Sequence, residues 1–188
     1  SFDRRFEGVP FVASDNYSGG VMAAKKLLEL GCKKIMFIGD DAQGDASPVI
    51  TEVTNRRLGF NEYLKSHGVE EVINIEYPLG DYIVSSDYIH GLMSQYENVD
   101  GIFAISDAAA AAVINEIEKS GKRVPEDVKV IGFDGGRSFL NLGKRISSIG
   151  QSPKLIAKAI CSIIVNFYNN VKVEDEIIPV YYFDGDTA

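Results

Sequence analysis

The fold is decided by a short apolar strand that stops at a carboxylate, in the stretch Val124-Pro125-Glu126-Asp127-Val128-Lys129-Val130-Ile131-Gly132-Phe133-Asp134-Gly135-Gly136. An apolar run of this length is typical of a strand buried on both faces, as in a parallel sheet. Ligands of open parallel α/β sheets bind outside the carboxyl ends of the strands, so Asp134 is the first candidate for a site residue. The alternative is that Asp134 only closes a turn, which Asp often does beside Gly.

The same alternation of apolar runs and turns continues on both sides of this stretch. Strands are predicted over residues 9–14, 35–39, 72–77, 101–105, 128–133, 146–149 and 177–183. Helices are predicted over about 21–30, 56–67, 86–96, 108–120 and 153–168. Strands that alternate with helices at this spacing predict an α/β fold with a doubly wound parallel sheet.

Composition limits the classes of function. A chain of 188 residues with 45% hydrophobic and 24% charged residues is typical of one large globular domain. Its net charge of −8 argues against direct binding of a nucleic-acid backbone, which usually needs a basic face. No stretch approaches the ~20 apolar residues of a membrane span. The chain does not begin with Met, so we expect it to be part of a longer polypeptide.

The two cysteines indicate a reducing compartment. Cys32 and Cys161 lie far apart among apolar neighbours, which is typical of buried, reduced thiols in a cytoplasmic protein. The segment 1–7 has no apolar core of a signal peptide.

Several catalytic and cofactor motifs are absent from the sequence. It has no Gly-x-x-x-x-Gly-Lys phosphate loop, no Gly-x-Gly-x-x-Gly after the first strand and no Gly-x-Ser-x-Gly. The acidic loop 40–54 lacks calcium-loop spacing, and His67 and His90 belong to no cluster with ligand spacing. We therefore predict no catalytic residue, metal or cofactor, and no enzymatic activity.

Polar residues do fall at strand carboxyl ends or in the loops beyond them: Arg56, Asp81-Tyr82, Ser106-Asp107 and Asp134. An Arg fork and a carboxylate can each take two hydroxyls of a small polyol, while an aromatic ring packs on its apolar face. This constellation predicts a pocket for a sugar or a nucleobase. Tyr82 could instead be a packing residue at the edge of its loop.

These motifs resemble the lactose-repressor/galactose-repressor family of bacterial transcription regulators. The resemblance extends over nearly the whole chain, in family order. It rests on Val124-Pro125-Glu126-Asp127-Val128 with Gly132-Phe133-Asp134, on Asp15-Asn16 with Gly19-Gly20, on Leu30-Gly31 to Ile38-Gly39, on Arg56-x-x-Gly59-Phe60, on Ser106-Asp107, on Gln151 with Pro153, and on Gly185-Asp186-Thr187-Ala188. Periplasmic sugar-binding proteins share the fold but usually lack the first of these signatures.

The resemblance implies a periplasmic-binding-protein-like (type I) lobe with remnants of a second lobe. Residues 1–16 would end the N-terminal lobe and 17–149 would form most of the C-terminal, effector-binding lobe. Residues 150–170 would cross back to the first lobe and 171–188 would return to the second. The apolar stripe of helix 153–168 is wider than one layer needs, and by resemblance one side of it packs on the part of the first lobe that this chain lacks.

The resemblance also implies roles for individual residues. Arg56 matches the effector-binding Arg three residues before the Gly-aromatic pair, and Asp134 matches the effector-binding Asp. Tyr82 stands where an aromatic stacks on the ligand. Ser106 stands where many members have Asn, before the helix-capping Asp107, and Gln151 lies at the lobe crossover.

The expected function is therefore the effector-sensing and dimerising portion of a cytoplasmic transcription regulator or repressor. A small molecule, with a carbohydrate as first choice, would control operator DNA binding by a helix-turn-helix head outside this chain. We expect a homodimer formed through residues 109–113 and Phe139-Leu140, and no membrane partner. The alternatives are a periplasmic-type sugar-binding protein of a transport system and an enzyme of the doubly wound class.

Overall fold

Strands and helices alternate as the apolar pattern predicts. The computed structural model describes residues 1–3, 5–39, 52–76, 86–135 and 143–188. Its strands are β1 (Val12–Ser14), β2 (Ile35–Gly39), β3 (Ile73–Glu76), β4 (Gly101–Ala104), β5 (Lys129–Asp134), β6 (Ser147–Gly150), β7 (Glu176–Ile178) and β8 (Tyr181–Phe183). Its helices are α1 (Asn16–Glu29), α2 (Glu52–Ser66), α3 (Ser86–Gln95), α4 (Asp107–Lys119) and α5 (Pro153–Tyr168).

The larger sheet has the order β3-β2-β4-β5-β6-β8. Its strands are parallel from β3 to β6, and β8 is antiparallel to β6. The chain moves outward from β2 to β3 and then returns to the other side of β2 with β4. The strand order therefore reverses between β2 and β4, and a reversal of this kind opens a crevice at the carboxyl ends of the strands.

Helices cover the larger sheet on both faces, as a doubly wound fold requires. The buried residues of α1 and α2 form one core with Phe37, Phe103 and Phe133. The buried residues of α3 and α4 form a second core with Ile38, Ile102 and Val130. The central strands β2, β4, β5 and β6 thus pack on both faces, which explains their continuous apolar runs and confirms the predicted fold class.

A smaller sheet lies beside the larger one. Strand β1 pairs in parallel with β7, and Phe2 forms an isolated bridge to Val12. Helix α5 packs on these strands through Ile156 and Ala159, which join Val12 and Ile178 in a third apolar cluster. Ile160 and Ile163 are partly buried against this cluster, whereas the end of the helix faces outward, where Phe167 is 70% exposed and Tyr168 is 83% exposed.

The C-terminal segment 185–188 lies between the beginnings of β5 and β6. The amide of Val130 donates to the carbonyl of Thr187, and the amides of Gly185, Thr187 and Ala188 approach the hydroxyl of Ser147 at 3.0–3.3 Å. A Cβ on Gly185 would overlap the backbone at residues 145–147, so only glycine fits this approach.

Two predicted elements differ from those of the structure, one in where it begins and one in that it is divided. Helix α1 begins at Asn16 rather than near the predicted residue 21, because the Asp15 carboxylate accepts a hydrogen bond from the Ser18 amide and caps the helix there. The single strand predicted over 177–183 is two strands on different sheets, separated at Pro179, which has no amide hydrogen for a ladder. The predicted lobe boundaries stay predictions, although β7 pairs with β1 rather than with the larger sheet.

The cysteines differ from each other. Cys32 is buried as predicted, and burial raises the pKa of its thiol to about 11. Cys161 is exposed, contrary to the prediction, because it lies on the outward face of α5. Most of the loop 40–54, the predicted site residues Asp81-Tyr82 and the predicted dimer residues Phe139-Leu140 lie outside the described residues. In the part of the chain that the structure covers, no helix has the length and apolarity needed to cross a membrane.

Candidate functional site

Arg56 lies at the point where the strand order reverses. Its side chain on α2 is buried, with 7% of the residue exposed. Nε donates to Oδ1 of Asn16 and Nη1 donates to the carbonyl of Ile105, both at 2.7 Å. The guanidinium carbon lies 3.6 Å from the ring centroid of Phe133, in a cation–π contact. The predicted site arginine thus joins α1, β4 and β5 at the carboxyl edge of the sheet.

Three glycines allow Arg56 to reach this position. A Cβ on Gly20 would overlap the backbone carbonyl of Arg56, and a Cβ on Gly59 would overlap that of Tyr17. A Cβ on Gly19 would lie 2.8 Å from the Phe133 ring. Helices α1 and α2 can therefore cross at backbone contact, with the Phe133 ring against α1 and under the guanidinium. The close crossing of α1 and α2 therefore explains both the Gly19-Gly20 motif and the Arg56-x-x-Gly59-Phe60 motif.

Asp134 ends β5 in a strained conformation, with a φ of 126°. This region of φ is uncommon for residues other than glycine, and such strain often occurs at functional sites. Oδ1 of Asp134 accepts a hydrogen bond from Nε2 of Gln151 at 3.0 Å. Oε1 of Gln151 in turn accepts one from the Ser14 hydroxyl at 2.7 Å. The predicted residues Asp134 and Gln151 are therefore in direct contact, and Ser14 connects them to β1.

Hydrogen bonds of the Ser106 and Asp107 side chains fix the position of the start of α4. The Ser106 hydroxyl accepts from the Ala109 amide at 3.1 Å and caps the helix, so the cap is Ser106 and not Asp107, which is the first residue of α4. Asp107 is 2% exposed, and its Oδ1 accepts from the Ser148 hydroxyl at 2.6 Å. A Cβ on Gly132 would overlap that same oxygen. Asp107 thus holds α4 against β5 and β6, and an effector contact for Ser106 or Asp107 stays a prediction.

Asp3 is a site residue that the sequence pattern did not indicate. It lies near enough to Arg56 for the guanidinium to lower its carboxyl pKa, but burial has the larger effect and raises the pKa. Its Oδ1 is buried with no hydrogen-bond partner among the residues that the structure describes. The Asp3 amide donates to the carbonyl of Val12, and this pairing brings the residue to the site. No local pattern shows such a pairing, because residues 1–7 are polar and have no strand period.

A cavity of about 510 Å³ lies beside these groups. Polar and apolar residues both line it: Phe2, Asp107, Ala108, Asp134, Gln151, Pro153, Ile156, Ala157 and Ile160. This mixture of a few polar groups with apolar walls is typical of pockets for small organic ligands.

Tyr82, a predicted site residue, lies outside the described residues. Within the described ranges, no three His, Cys, Asp or Glu side chains are grouped so as to hold a metal ion.

The fold places this chain in a class of protein, those with a periplasmic-binding-protein-like fold. The family model described as "periplasmic binding protein-like domain" matches residues 24–182. The chain therefore belongs to the periplasmic binding protein-like family, and its relatives within that family are LacI-type regulators.

Three relatives illustrate this. The ribose operon repressor of Halalkalibacterium halodurans is 35% identical over 130 residues, which are 69% of this chain and 37% of the repressor. The sucrose operon repressor of Streptococcus mutans is 27% identical over 191 residues, covering 100% of this chain and 56% of the repressor. A periplasmic binding protein/LacI transcriptional regulator from Alkaliphilus metalliredigens, crystallised with D-xylulofuranose, superimposes with a TM-score of 0.83 at 29% identity. That comparison covers 100% of this chain and 69% of the regulator.

The predicted resemblance to the lactose-repressor/galactose-repressor regulators is thereby confirmed. The chain spans about half the length, or less, of the curated relatives named above.

Proposed function

We propose that this chain is the effector-binding part of a sugar-responsive transcription regulator. The observation that carries the proposal is the hydrogen bond between Asp134 and Gln151 in the lining of a cavity of about 510 Å³, with Arg56 held at the same edge of the sheet by the carbonyl of Ile105. The relatives support a regulator over a transport-type binding protein, because they are operon repressors. They also support a binding role without catalysis.

The chemistry of the three groups suits a polyol. The Asp134 carboxylate can accept hydrogen bonds from two adjacent hydroxyls, and the Arg56 fork can donate to their oxygens. Gln151 offers both a donor and an acceptor. Tyr82 would add an aromatic face for the apolar side of a sugar ring.

A sugar at this site would compete with Gln151 for Asp134. A sugar hydroxyl that donates to Oδ1 of Asp134 replaces the donor Nε2 of Gln151, which now lies 3.0 Å away. Gln151 lies between β6 and α5, and Ser14 is the last residue of β1, so both lie where the chain crosses between the two sheets. The sugar therefore favours one arrangement of these crossings over another. In the regulator, this difference reaches operator DNA through a head outside this chain.

Dimerisation belongs to the same proposal, but its predicted surface needs correction. Residues 109–111 and Val113 are buried in the core of their own chain, so most of the stretch 109–113 cannot form a dimer contact. On this stretch of α4, the accessible side chains are those of Ala108 and Ala112. Phe139-Leu140 lies outside the described residues. We propose a cytoplasmic homodimer that uses the outward face of α4.

Asp134→Asn tests the proposal. We expect the substitution to lower sugar affinity at least ~10-fold, because hydrogen bonds to a charged group contribute roughly 1.5–3 kcal/mol and 1.4 kcal/mol is a factor of ten. The measurement is calorimetric titration of the natural polypeptide that carries this chain with D-ribose, sucrose and D-xylulose.

The matched control is Asp127→Asn, the same change on an exposed carboxylate that is paired with Arg123 and does not line the cavity. It should leave affinity unchanged. Unchanged affinity and unchanged operator release in Asp134→Asn would remove Asp134 from the site. Binding of none of the three sugars by the unmodified protein would contradict the sugar assignment.

A further inference from the structure

We infer that Asn16 is a positioning residue that sets the direction in which Arg56 faces the effector cleft. The inference rests on the proposed function, because it gives Arg56 an effector to face. Asn16 is 2% exposed at the start of α1. Its Oδ1 accepts from Nε of Arg56 at 2.7 Å, and its Nδ2 donates to the carbonyl of Ser14 at 2.9 Å. The side-chain amide of Asn16 therefore bonds to Arg56 through its oxygen and to the backbone of Ser14 through its nitrogen.

Arg56 needs such a partner because its side chain is long and flexible. An arginine loses up to ~2 kcal/mol of rotamer freedom when it is fixed, and a guanidinium in a binding site is useful only in one plane. Nε is the nitrogen nearest the chain, so a hydrogen bond at Nε fixes the last torsion before the fork. The carbonyl of Ile105 holds Nη1, and the ring of Phe133 supports the flat face. Asn16 supplies the third restraint.

Asn16 also connects Arg56 to the crossing between the sheets. Ser14 accepts from Asn16 through its carbonyl and donates to Gln151 through its hydroxyl, and Gln151 reaches Asp134. The neighbouring Asp15 amide donates to the carbonyl of Ile178 at the end of β7. Arg56 and Asp134, which lie on different elements, are therefore each connected to Ser14 through one intermediate residue, Asn16 for Arg56 and Gln151 for Asp134. A shift of the backbone between β1 and α1 would therefore move the side chains of both Arg56 and Asp134.

The inference is tested first without any sugar, by the solvent exchange of the Arg56 Nε proton in NMR spectra of the natural polypeptide that carries this chain. The Arg56 resonance is assigned by its disappearance in Arg56→Lys. We expect a protected proton in the unmodified protein and exchange at least ~10-fold faster in Asn16→Ala, because the buried acceptor is gone. Asn61→Ala is the matched control, since Asn61 lies on α2 and bonds to Asn74 instead of Arg56. Unchanged exchange in Asn16→Ala would overturn the inference.

If Asn16→Ala does not fold, the Arg56 Nε resonance is measured in Asn16→Asp instead. The carboxylate keeps the acceptor for Nε and adds charge, so the hydrogen bond shortens and the Arg56 Nε resonance shifts. A resonance identical to that of the unmodified protein would equally overturn the inference.

The second test is a double-mutant cycle read by sugar affinity, with D-ribose, sucrose and D-xylulose as probes. Asn16→Ala should weaken binding at least ~10-fold in the unmodified background and less than ~2-fold in the Arg56→Lys background, since residues that act through one another are not additive. Equal losses in both backgrounds would show a general structural role and overturn the inference. If the unmodified protein binds none of these sugars, the proposed function fails, and the exchange measurement still decides the role of Asn16.

Discussion

The hydroxyl of Thr187 makes two hydrogen bonds inside the protein. Thr187 is fully buried, and Oγ1 accepts from the Ser147 amide at 2.9 Å and donates to the carbonyl of Val130 at 2.7 Å. One side chain thus satisfies a backbone donor of β6 and a backbone acceptor of β5. Buried backbone groups without partners are rare in folded proteins because each is costly.

We expect Thr187→Val to lower the free energy of unfolding by about 1–3 kcal/mol. Valine has nearly the same shape, so the loss comes from the two backbone groups left without a partner. Urea unfolding measures the change. Thr187→Ser, which keeps the hydroxyl, should lose clearly less, and equal losses would mean that the methyl group and not the hydroxyl stabilises this position.

Some residues near the candidate site could be predicted from the sequence and others could not. Ser106 and Asp134 were predicted because each follows an apolar run, and the carboxyl end of a strand is a place that local pattern defines, whereas Arg56 was predicted from the Arg56-x-x-Gly59-Phe60 motif. Asp3 and Asn16 were not assigned to the site, since what places them is contact with residues distant in sequence, Val12 and Arg56. Composition and periodicity carry no information about such pairings.

At the scale of elements, the crossing of α1 and α2 is the least tolerant contact. Gly20 and Gly59 let each helix touch the backbone of the other. Small residues at a crossing allow this approach, and the interior around it is too closely packed to absorb a methyl group.

Gly59→Ala should lower the free energy of unfolding by about 1–3 kcal/mol, the usual range for overpacking. Gly91→Ala is the matched control, because Gly91 also lies within a helix and an added Cβ would meet no atom within 4 Å. There we expect a gain of up to ~1 kcal/mol, since alanine favours helix over glycine. Urea unfolding of both variants gives the comparison, and a Gly59→Ala protein as stable as the Gly91→Ala protein would contradict the close crossing.

Elements were predictable where hydrophobic burial alone defines them. Strand β2 and helix α5 have the predicted bounds, because one is buried on both faces and the other begins with a Ser-Pro cap. The start of α1 and the division of β7 from β8 were missed. In both places the chain passes between the two sheets, and a single residue, the capping Asp15 or the interrupting Pro179, decides where the element begins or ends, which apolar period does not show.

At the scale of the whole molecule, the outward apolar face of α5 bears on ligand affinity. We expect the isolated 188-residue chain to bind its sugar at least ~10-fold more weakly than the natural polypeptide, because a cleft with part of one wall missing buries less of the ligand. Calorimetric titration of both proteins with the same sugar measures the ratio. Equal affinities would show that the described residues form the complete site.

Stability should fall in acid because of three exposed ion pairs. A hydrogen bond from Arg123 lowers the pKa of Asp127 to about 2, and hydrogen bonds from Arg5 and Arg145 lower the pKa values of Asp175 and Asp186. Below an ordinary carboxyl pKa of 3.8, the unfolded chain therefore binds more protons than the folded chain. The stabilisation is present above that pH and is lost as the pH falls toward about 2.

Thermal unfolding between pH 5 and pH 2 measures this loss, with the pH values chosen to bracket the shift of Asp127. Asp127→Asn should have a lower midpoint near neutral pH and a shallower decline in acid. A decline as steep as that of the unmodified protein would assign the acid sensitivity to other groups.

The position of residues 185–188 also bears on the order of events during synthesis. Thr187 bonds to Ser147 and Val130, which precede it by 40 and 57 residues. A ribosome makes the chain from its amino end, so β5 and β6 emerge well before the segment that joins their beginnings. The nascent chain can form its helices and pair β2 with β4 while still attached, but the region between β5 and β6 becomes complete only after residue 187 has left the ribosome. The joining of β5 to β6 at their beginnings is therefore a late step of folding.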